Sequence, residues 1–308
     1  MPELPDVELY LHALRPRIVG QTLERVRVRS PFLVRTFDPP LTAIEGREIR
    51  DVSRLGKRVV WHLDDELFVV IHLMIAARFH WKPRGAVIPG KLGLAAFDFS
   101  TATLLLTEAG ARRRASLHVV RGTEALAALD PGGLDVLSSS IESFSAAIMR
   151  ENHTLKRALT DPHVLDGIGN AYSDEILHAA KLSPMQLTAR LDPDAFVRLH
   201  DAAIRVLTHW RDALIDETGD AFPEKVTAFR AGMAAHGRYG KPCPVCGTPI
   251  QRIRYAANEA NYCPTCQTGG RLLADRALSR LLKEDWPRSL EDLEQYKNER
   301  RTGGSGPR

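Results

Sequence analysis

The chain has 308 residues, of which 44% are hydrophobic and 26% charged, with 42 Lys and Arg against 38 Asp and Glu. Those proportions exclude a wholly disordered or collagen-like chain, and the length is enough for two domains that each bury a core. The net charge of +4 is modest, but six Lys or Arg and no Asp or Glu fall between Lys225 and Arg254, and Arg112, Arg113 and Arg114 form a second cluster. Such clusters suit either a polyanion or a solvated face.

Glu3, Asp6 and Glu8 occupy the start of the chain without a long apolar stretch, so a secretory signal is not expected. No apolar run approaches the roughly eighteen residues needed to span a bilayer. The expectation is a cytoplasmic protein without a membrane partner. In LPDVELYLHALRPRIVG, Val7, Leu11 and Leu14 recur at helical spacing before Gly20, which predicts a helix over residues 4 to 18. TLERVRVR, REIRDVS, KRVVWHL, ELFVVIHL, LGLAAFDF, ATLLLT and ASLHVV then follow as short runs rich in β-branched residues. Turn-forming residues separate them, DDE at 64 to 66 marking one hairpin, and the pattern is that of an antiparallel sandwich or barrel. Around LDPGGLDVLSSS, residues 129 to 140, the strand pattern stops, which places a domain boundary there.

Beyond it SFSAAIMRENHTLKRALTD, AYSDEILHAAK, DPDAFVRLHDAAIRVLTHWRDALID and RALSRLLKED carry helical periodicity, and the tail RTGGSGPR reads as disordered. The predicted fold class is α+β, an N-terminal antiparallel β-sandwich with flanking helices followed by a mainly helical domain. GIGNAYSDEIL sets two glycines before a helical run, where backbone N–H groups and the Asn170 side chain can meet a phosphate; a tight turn between helices would have the same pattern. All four cysteines lie in Cys243-Pro-Val-Cys246 and Cys263-Pro-Thr-Cys266, sixteen residues apart. Two such knuckles suit one closed tetrahedral site of four thiolates around a structural Zn2+ better than a disulfide or redox pair. Between them IQRIRYAANEANY alternates like a β-hairpin from which Arg252 and Arg254 project, a basic ribbon that can read nucleic acid or be purely structural.

The start MPE has a chemical reading as well as a bland one. An α-amino group titrates near 8, against about 10.4 for Lys, so far more of it is an uncharged nucleophile at neutral pH. With the methionine removed, Pro2 offers such an amine. Attack on C1′ of a deoxyribose would expel the base and leave an iminium, which acidifies the C2′ hydrogens. Glu3 stands where a carboxylic acid can protonate the sugar oxygen as the ring opens.

Taken together, MPELPDVE at the start, GIGNAYSDEIL and C-x2-C-x16-C-x2-C resemble the formamidopyrimidine-DNA glycosylase and endonuclease VIII family over residues 2 to about 268. The three motifs are, by similarity, its amino-terminal motif, its helix-two-turn-helix and its C-terminal zinc finger. The resemblance implies a monomeric base-excision-repair enzyme that removes oxidised bases from double-stranded DNA and cleaves the abasic strand by β,δ-elimination. It implies Pro2 as nucleophile, Glu3 as proton donor, Lys57 as a lysine beside the cleaved strand and Asn170 as a phosphate ligand. His72 and Lys156 match positions that contact DNA, and Met74 is either a filler of the vacated space or a core methionine, with Arg112 and Arg113 near it.

The implied domains are a catalytic sandwich over 1–130, a linker at 131–140, a helix-two-turn-helix DNA-binding domain over 141–235, a zinc finger over 236–268 and a C-terminal extension over 269–308. The chain departs from the family at three places: Asp6 stands where glutamate is usual, Asn258 where the finger usually has arginine, and TEAGARRRASL replaces an Asp-Pro-Arg-Arg-Phe loop. The base preferred is therefore left open among oxidised pyrimidines, ring-opened purines, hydantoins and bare abasic sites. A non-catalytic damaged-DNA-binding protein of the same fold is the alternative, and the pairing of Pro2 with Glu3 argues against it. A zinc-ribbon protein acting on RNA would need stacking aromatics, for which the ribbon offers only Tyr255 and Tyr262.

Overall fold

The computed structural model describes residues 1–110, 112–227, 229–255, 258–274 and 287–302. The chain falls into two units, Met1–Leu137 with Leu207–Ala228, and Ser138–Val206 with Phe229–Arg308.

In the first unit, α1 (Leu4–Ile18) starts with Pro5 in its first turn, where proline's missing N–H is not needed. It buries Leu4, Val7, Tyr10, Leu11, Leu14 and Ile18. A five-stranded antiparallel sheet follows the order β1 (Thr22–Leu23), β3 (Arg47–Leu55), β4 (Arg58–Leu63), β5 (Leu67–His72), β9 (Ser116–Arg121). A four-stranded antiparallel sheet follows the order β2 (Arg25–Val28), β7 (Gly93–Asp98), β8 (Ala102–Glu108), β6 (Ala77–Pro83).

The alternation of β4 sends Val59, Trp61 and Leu63 into the core shared with α1 and β7, where the Trp61 ring meets Phe97 edge-on at 4.8 Å. Val60 points the other way and joins Phe68, Val70 and Val120 beneath Leu126 and Leu129, so the short helix α2 (Thr123–Ala127) helps cover the outer face. With both faces covered, β5 reads as an unbroken apolar run instead of an alternating one. The predicted turn at 64–66 is present, with Asp65 and Glu66 both in the left-handed region at φ 55° and 53°. β6 is a strand that the list of β-branched runs does not contain. Its ARFHWKP alternates buried Ala77 and Phe79 with basic Arg78 and His80, a period-2 signal carried by aromatic and basic residues.

The second unit holds α3 (Ile141–Met149), α4 (Leu155–Thr160), α5 (Asn170–Ala180), the first part of α6 (Pro193–Thr218), the hairpin β10 (Gln251–Tyr255) with β11 (Asn258–Tyr262), and α7 (Pro264–Thr268). The helical pattern groups 141–235 together, whereas residues 207–228 pack with the sandwich. Leu214 and Val226 enter its core, and Phe222 stacks on Trp81 and lies 6.2 Å from Tyr10. Residues 276–285 (RALSRLLKED) lie outside the described residues, as do the last six of the tail, while Arg301 and Thr302 close the helix Leu290–Thr302. Leu273 donates its N–H to the Tyr262 hydroxyl at 2.8 Å, which ties the extension to β11. No helix among the described residues is long and apolar enough to cross a membrane.

Trp61 is fully buried between the sheets. Trp61→Ala is expected to cost about 3–5 kcal/mol, since the void left at the centre of two sheets cannot collapse. Urea denaturation of the two proteins side by side measures this.

Candidate active site, helix entrance and metal centre

The chain terminus is held, not frayed. Glu3 is the N-cap of α1 and Asp6 the third residue of its first turn, and the two form a reciprocal capping box. Glu3 donates its backbone N–H to Asp6 Oδ2 at 2.9 Å, and the Glu3 carboxylate accepts from the Asp6 backbone N–H. Both side chains are buried, at 2% and 0% exposure, and Pro2 is buried beside them. The Asp6 carboxylate is thus engaged with the N–H of Glu3. Burial pushes the Met1 ammonium below its ordinary value, with Glu3 and Asp6 opposing that shift and Arg78 and Lys57 adding to it. Glu3, Asp6, Arg78 and Lys57 are thus the charged side chains that act on the amine at the start of the chain. Arg78 lies on β6, the strand absent from the sequence pattern, and for that reason it is not among the expected site residues.

Lys57 is presented by the β3–β4 hairpin. Leu55 pairs with Arg58 across a two-residue turn whose first residue, Gly56, has φ 63°, while Lys57 keeps a negative φ. Gly alone at the first central position is the type II′ arrangement that matches strand twist. His72 closes β5 opposite Ser116 and is pushed down to about 4, by burial first and then by the neighbouring Arg58, Lys57 and His118. No hydrogen-bond partner reaches its Nε2. Met74 follows in the left-handed region at φ 50°, half-buried, with the more exposed Ile75 next to it.

Arg112 and Arg113 are exposed on the β8–β9 connection. That loop is anchored by a residue without any sequence signal, Glu108, which is 2% exposed and accepts from the backbone N–H groups of Arg114 and Ala115 at 2.9 and 3.2 Å. Arg113 additionally donates to the Lys91 carbonyl at 2.5 Å.

In the second unit, Gly167 adopts φ 77° and Gly169 is the N-cap of α5, so the two glycines make the sharp approach to Asn170, its first residue. Lys156 is buried. Its Nζ donates to the Asn170 carbonyl at 2.7 Å and to Asp174 Oδ1 at 2.5 Å, so it braces the helix entrance from inside. Asp174, with no exposed surface, also accepts from His236 Nδ1 at 2.8 Å and Asn261 Nδ2 at 3.2 Å. Glu175 accepts the backbone N–H groups of Ala234, Ala235 and His236 at 2.7 to 2.8 Å. Lys156 and Asn170 thus meet, as do Arg252 and Arg254 on one face of β10, opposite buried Ile253. Arg252 pairs with Glu259 at 3.3 Å and lies over the Tyr239 ring at 4.2 Å, while Arg254 is exposed.

Cys243, Cys246, Cys263 and Cys266 bring their sulfurs within 4.8 Å of one another, with pairs at 3.4, 3.5 and 3.9 Å. A tetrahedron with Zn–S bonds of about 2.3 Å has sulfurs about 3.8 Å apart, so the four thiols fit zinc and leave no open position. Backbone N–H groups of Val245 and Cys266 point at Cys243 and Cys263, at 3.4 and 3.5 Å. The His178 imidazole, which burial pushes below its ordinary pKa, lies 3.2 Å from Cys243.

The sequence matches three family domains in this order: the formamidopyrimidine-DNA glycosylase N-terminal domain at residues 1–117, the formamidopyrimidine-DNA glycosylase H2TH domain at 133–215, and the zinc finger found in FPG and IleRS at 240–269. The formamidopyrimidine-DNA glycosylase of Heliobacterium modesticaldum is 32% identical over 280 residues, covering 87% of this chain and all of that one. That of Thermus thermophilus is 31% identical over 88% of this chain and all of its own. A formamidopyrimidine-DNA glycosylase-like protein of Mycobacterium tuberculosis is 42% identical over 162 residues, which are 53% of this chain and 99% of the relative. The fold is that of the Lactococcus lactis Fpg, seen in a complex with DNA containing an abasic site, with a TM-score of 0.76, 24% identity and coverage of 86% and 99%.

Two outcomes follow from the buried charges. Removing Asp174 leaves Lys156 and His236 facing each other without their shared anion, so Asp174→Ala is expected to lose about 3–5 kcal/mol in denaturant unfolding. For His72 the folded pKa lies below the ordinary value of about 6.5. Between roughly pH 6.5 and 4 the unfolded chain binds the proton and the folded chain does not, so stability is full above this window and falls as pH falls through it. His72→Gln should flatten that fall, read as a smaller shift in urea midpoint between pH 7 and pH 4.5.

Proposed function

Because the chain belongs to the formamidopyrimidine-DNA glycosylase family, we propose that Pro2 is the nucleophile with which it removes a damaged base from double-stranded DNA and then cuts the abasic strand. One observation carries this reading above the others. The start of the chain is a buried, doubly hydrogen-bonded helix N-terminus, with Glu3 in the capping box and Lys57 and Arg78 close enough to bias the terminal amine.

Removal of Met1 exposes the secondary amine of Pro2. Its lone pair attacks C1′, the N-glycosidic bond breaks toward the base, and the departing base takes up a proton. Glu3 delivers a proton to O4′ as the sugar ring opens, leaving an iminium between Pro2 and C1′. Loss of a C2′ proton expels the 3′ phosphate, and a second elimination expels the 5′ phosphate. Water then releases Pro2. Lys57, on its rigid two-residue turn, holds the strand beside the reacting sugar. C1′ is out of reach while the base is stacked, so the nucleotide is turned out of the duplex.

The remaining contacts are assigned by charge and position. His72 meets a phosphate and gains the proton that burial otherwise denies it; Met74 on its left-handed turn fills the space the nucleotide leaves, with Arg112 and Arg113 beside it. Asn170 binds a phosphate at the entrance of α5, with Lys156 acting through it, and Arg252 and Arg254 meet the backbone from the finger hairpin. Contacts of this kind supply affinity with little sequence preference, which suits a search for scattered lesions.

Borohydride reduction of the enzyme on a duplex with an abasic site should give a covalent protein–DNA adduct whose mass maps to Pro2 of the trimmed chain. Pro2→Gly should change its yield, and Glu3→Gln should lose base excision by at least about 100-fold, the scale of a positioned general acid. An adduct on an internal lysine, or none from wild type on any damaged duplex, would reject the proposal.

A further inference from the structure

The metal centre has a neighbour that the sequence motif does not contain. His178 lies on α5, sixty-five positions before Cys243, yet its Nε2 sits 3.2 Å from the Cys243 sulfur. Both residues are buried, at 5% and 3% exposure. The approach is held on both sides of the centre. Gln267 spans from α7 to the Leu182 carbonyl just beyond α5, at 2.8 Å, and its own Oε1 accepts the Cys263 N–H at 2.8 Å. Asn261 of β11 reaches Asp174, one turn before His178 on the same face of α5.

A thiolate bound to zinc can only accept hydrogen bonds, and four thiolates around one Zn2+ leave a net charge of −2, with the Cys243 and Cys263 sulfurs on the buried side of the centre. Burying that charge is costly unless donors point at the sulfurs. Cys243, among the most buried of the four, already receives the Val245 backbone N–H at 3.4 Å. An imidazole aimed at the same sulfur supplies a second donor only in the tautomer that carries its proton on Nε2.

We propose that His178 is a positioning residue of the zinc centre: its Nε2–H donates to the Cys243 thiolate, so that helix α5 sets part of the finger's zinc affinity and shields that sulfur from electrophiles. The contrary view is that His178 is a packing residue whose ring happens to lie against a sulfur. The two differ in what a phenylalanine does. His178→Phe keeps a flat ring of similar size and removes the donor, while His178→Gln restores an N–H from a different shape.

Zinc affinity of the full chain is measured by chelator competition, and alkylation of each cysteine in the zinc-loaded protein by mass spectrometry. His178→Phe is expected to weaken zinc by about 10- to 100-fold, the usual effect of removing a partner of a metal ligand, and to make Cys243 the faster-reacting thiol. His178→Gln should recover most of both. Zinc affinity within twofold of wild type in His178→Phe, or Gln as weak as Phe, overturns the proposal. A readout independent of any variant is the nitrogen NMR of the wild-type protein loaded with cadmium-113. The expected result is a protonated Nε2 with coupling to the metal through the hydrogen bond, whereas an unprotonated Nε2 refutes it even if the variants fail to fold.

Discussion

A polypeptide terminus is ordinarily the least ordered part of a domain, and a nucleophile placed there must be fixed by something other than chain continuity on both sides. Here the fixing element is the reciprocal bond between Glu3 and Asp6 at the first turn of α1. It satisfies backbone donors that a helix start leaves without intrahelical partners, and it does so with two carboxylates that share no exposed surface to speak of. The apolar face of α1 then sinks into the sandwich core, so the position of Pro2 follows from that of Tyr10, Leu14 and Ile18 several turns away. Everything proposed for the chemistry rests on this arrangement, in which the helix orders the terminus.

The second unit solves a different problem, that of joining helix α5 to a small finger that has little apolar core of its own. Its solution is polar. Asp174, Glu175 and His178 project from α5, and each is spent on a different partner: a lysine–histidine–asparagine set, three consecutive backbone N–H groups, and a cysteine. The Asp174 and Glu175 carboxylates are each met by several donors, which fixes where the finger sits on α5, while the Asn261 side-chain oxygen is left buried without a partner. Lys156 shows the consequence for function. Its charge is consumed within the protein, so under the proposed reading it acts on a phosphate through the Asn170 carbonyl and the start of α5.

Much of this is legible in the sequence because it is written locally. The helix over 4 to 18, the turn at 64 to 66 and the paired knuckles depend on neighbours within a few residues, and α1, the turn residues Asp65 and Glu66, and the cluster of four sulfurs appear where the pattern puts them. What is not legible depends on residues far apart in the chain. Nothing near His178 announces a cysteine sixty-five positions on, and Glu108 looks like the polar end of a strand until its carboxylate is seen to hold the loop of Arg112 to Arg114. β6 escapes the pattern for a third reason, since aromatic and basic residues carry an alternation expected of valine and isoleucine. The return of residues 207–228 to the sandwich is likewise invisible in a helical pattern that runs unbroken through Pro193–Thr218.

The substitution at position 6 bears on what distinguishes this chain within its family. A carboxylate one methylene shorter than glutamate reaches the Glu3 N–H at 2.9 Å from the third position of the helix, closing the box on itself. Buried and bonded there, Asp6 holds the proposed proton donor and has no surface left to offer a base. Two neighbourhoods of the same unit do present surface: the left-handed turn of Met74 with exposed Ile75, and the Arg112–Arg113 loop that Glu108 anchors. The first is apolar and the second cationic. On the proposed reading, base preference rests on the shape of an apolar turn and the charge of a braced loop, not on an acidic contact from position 6.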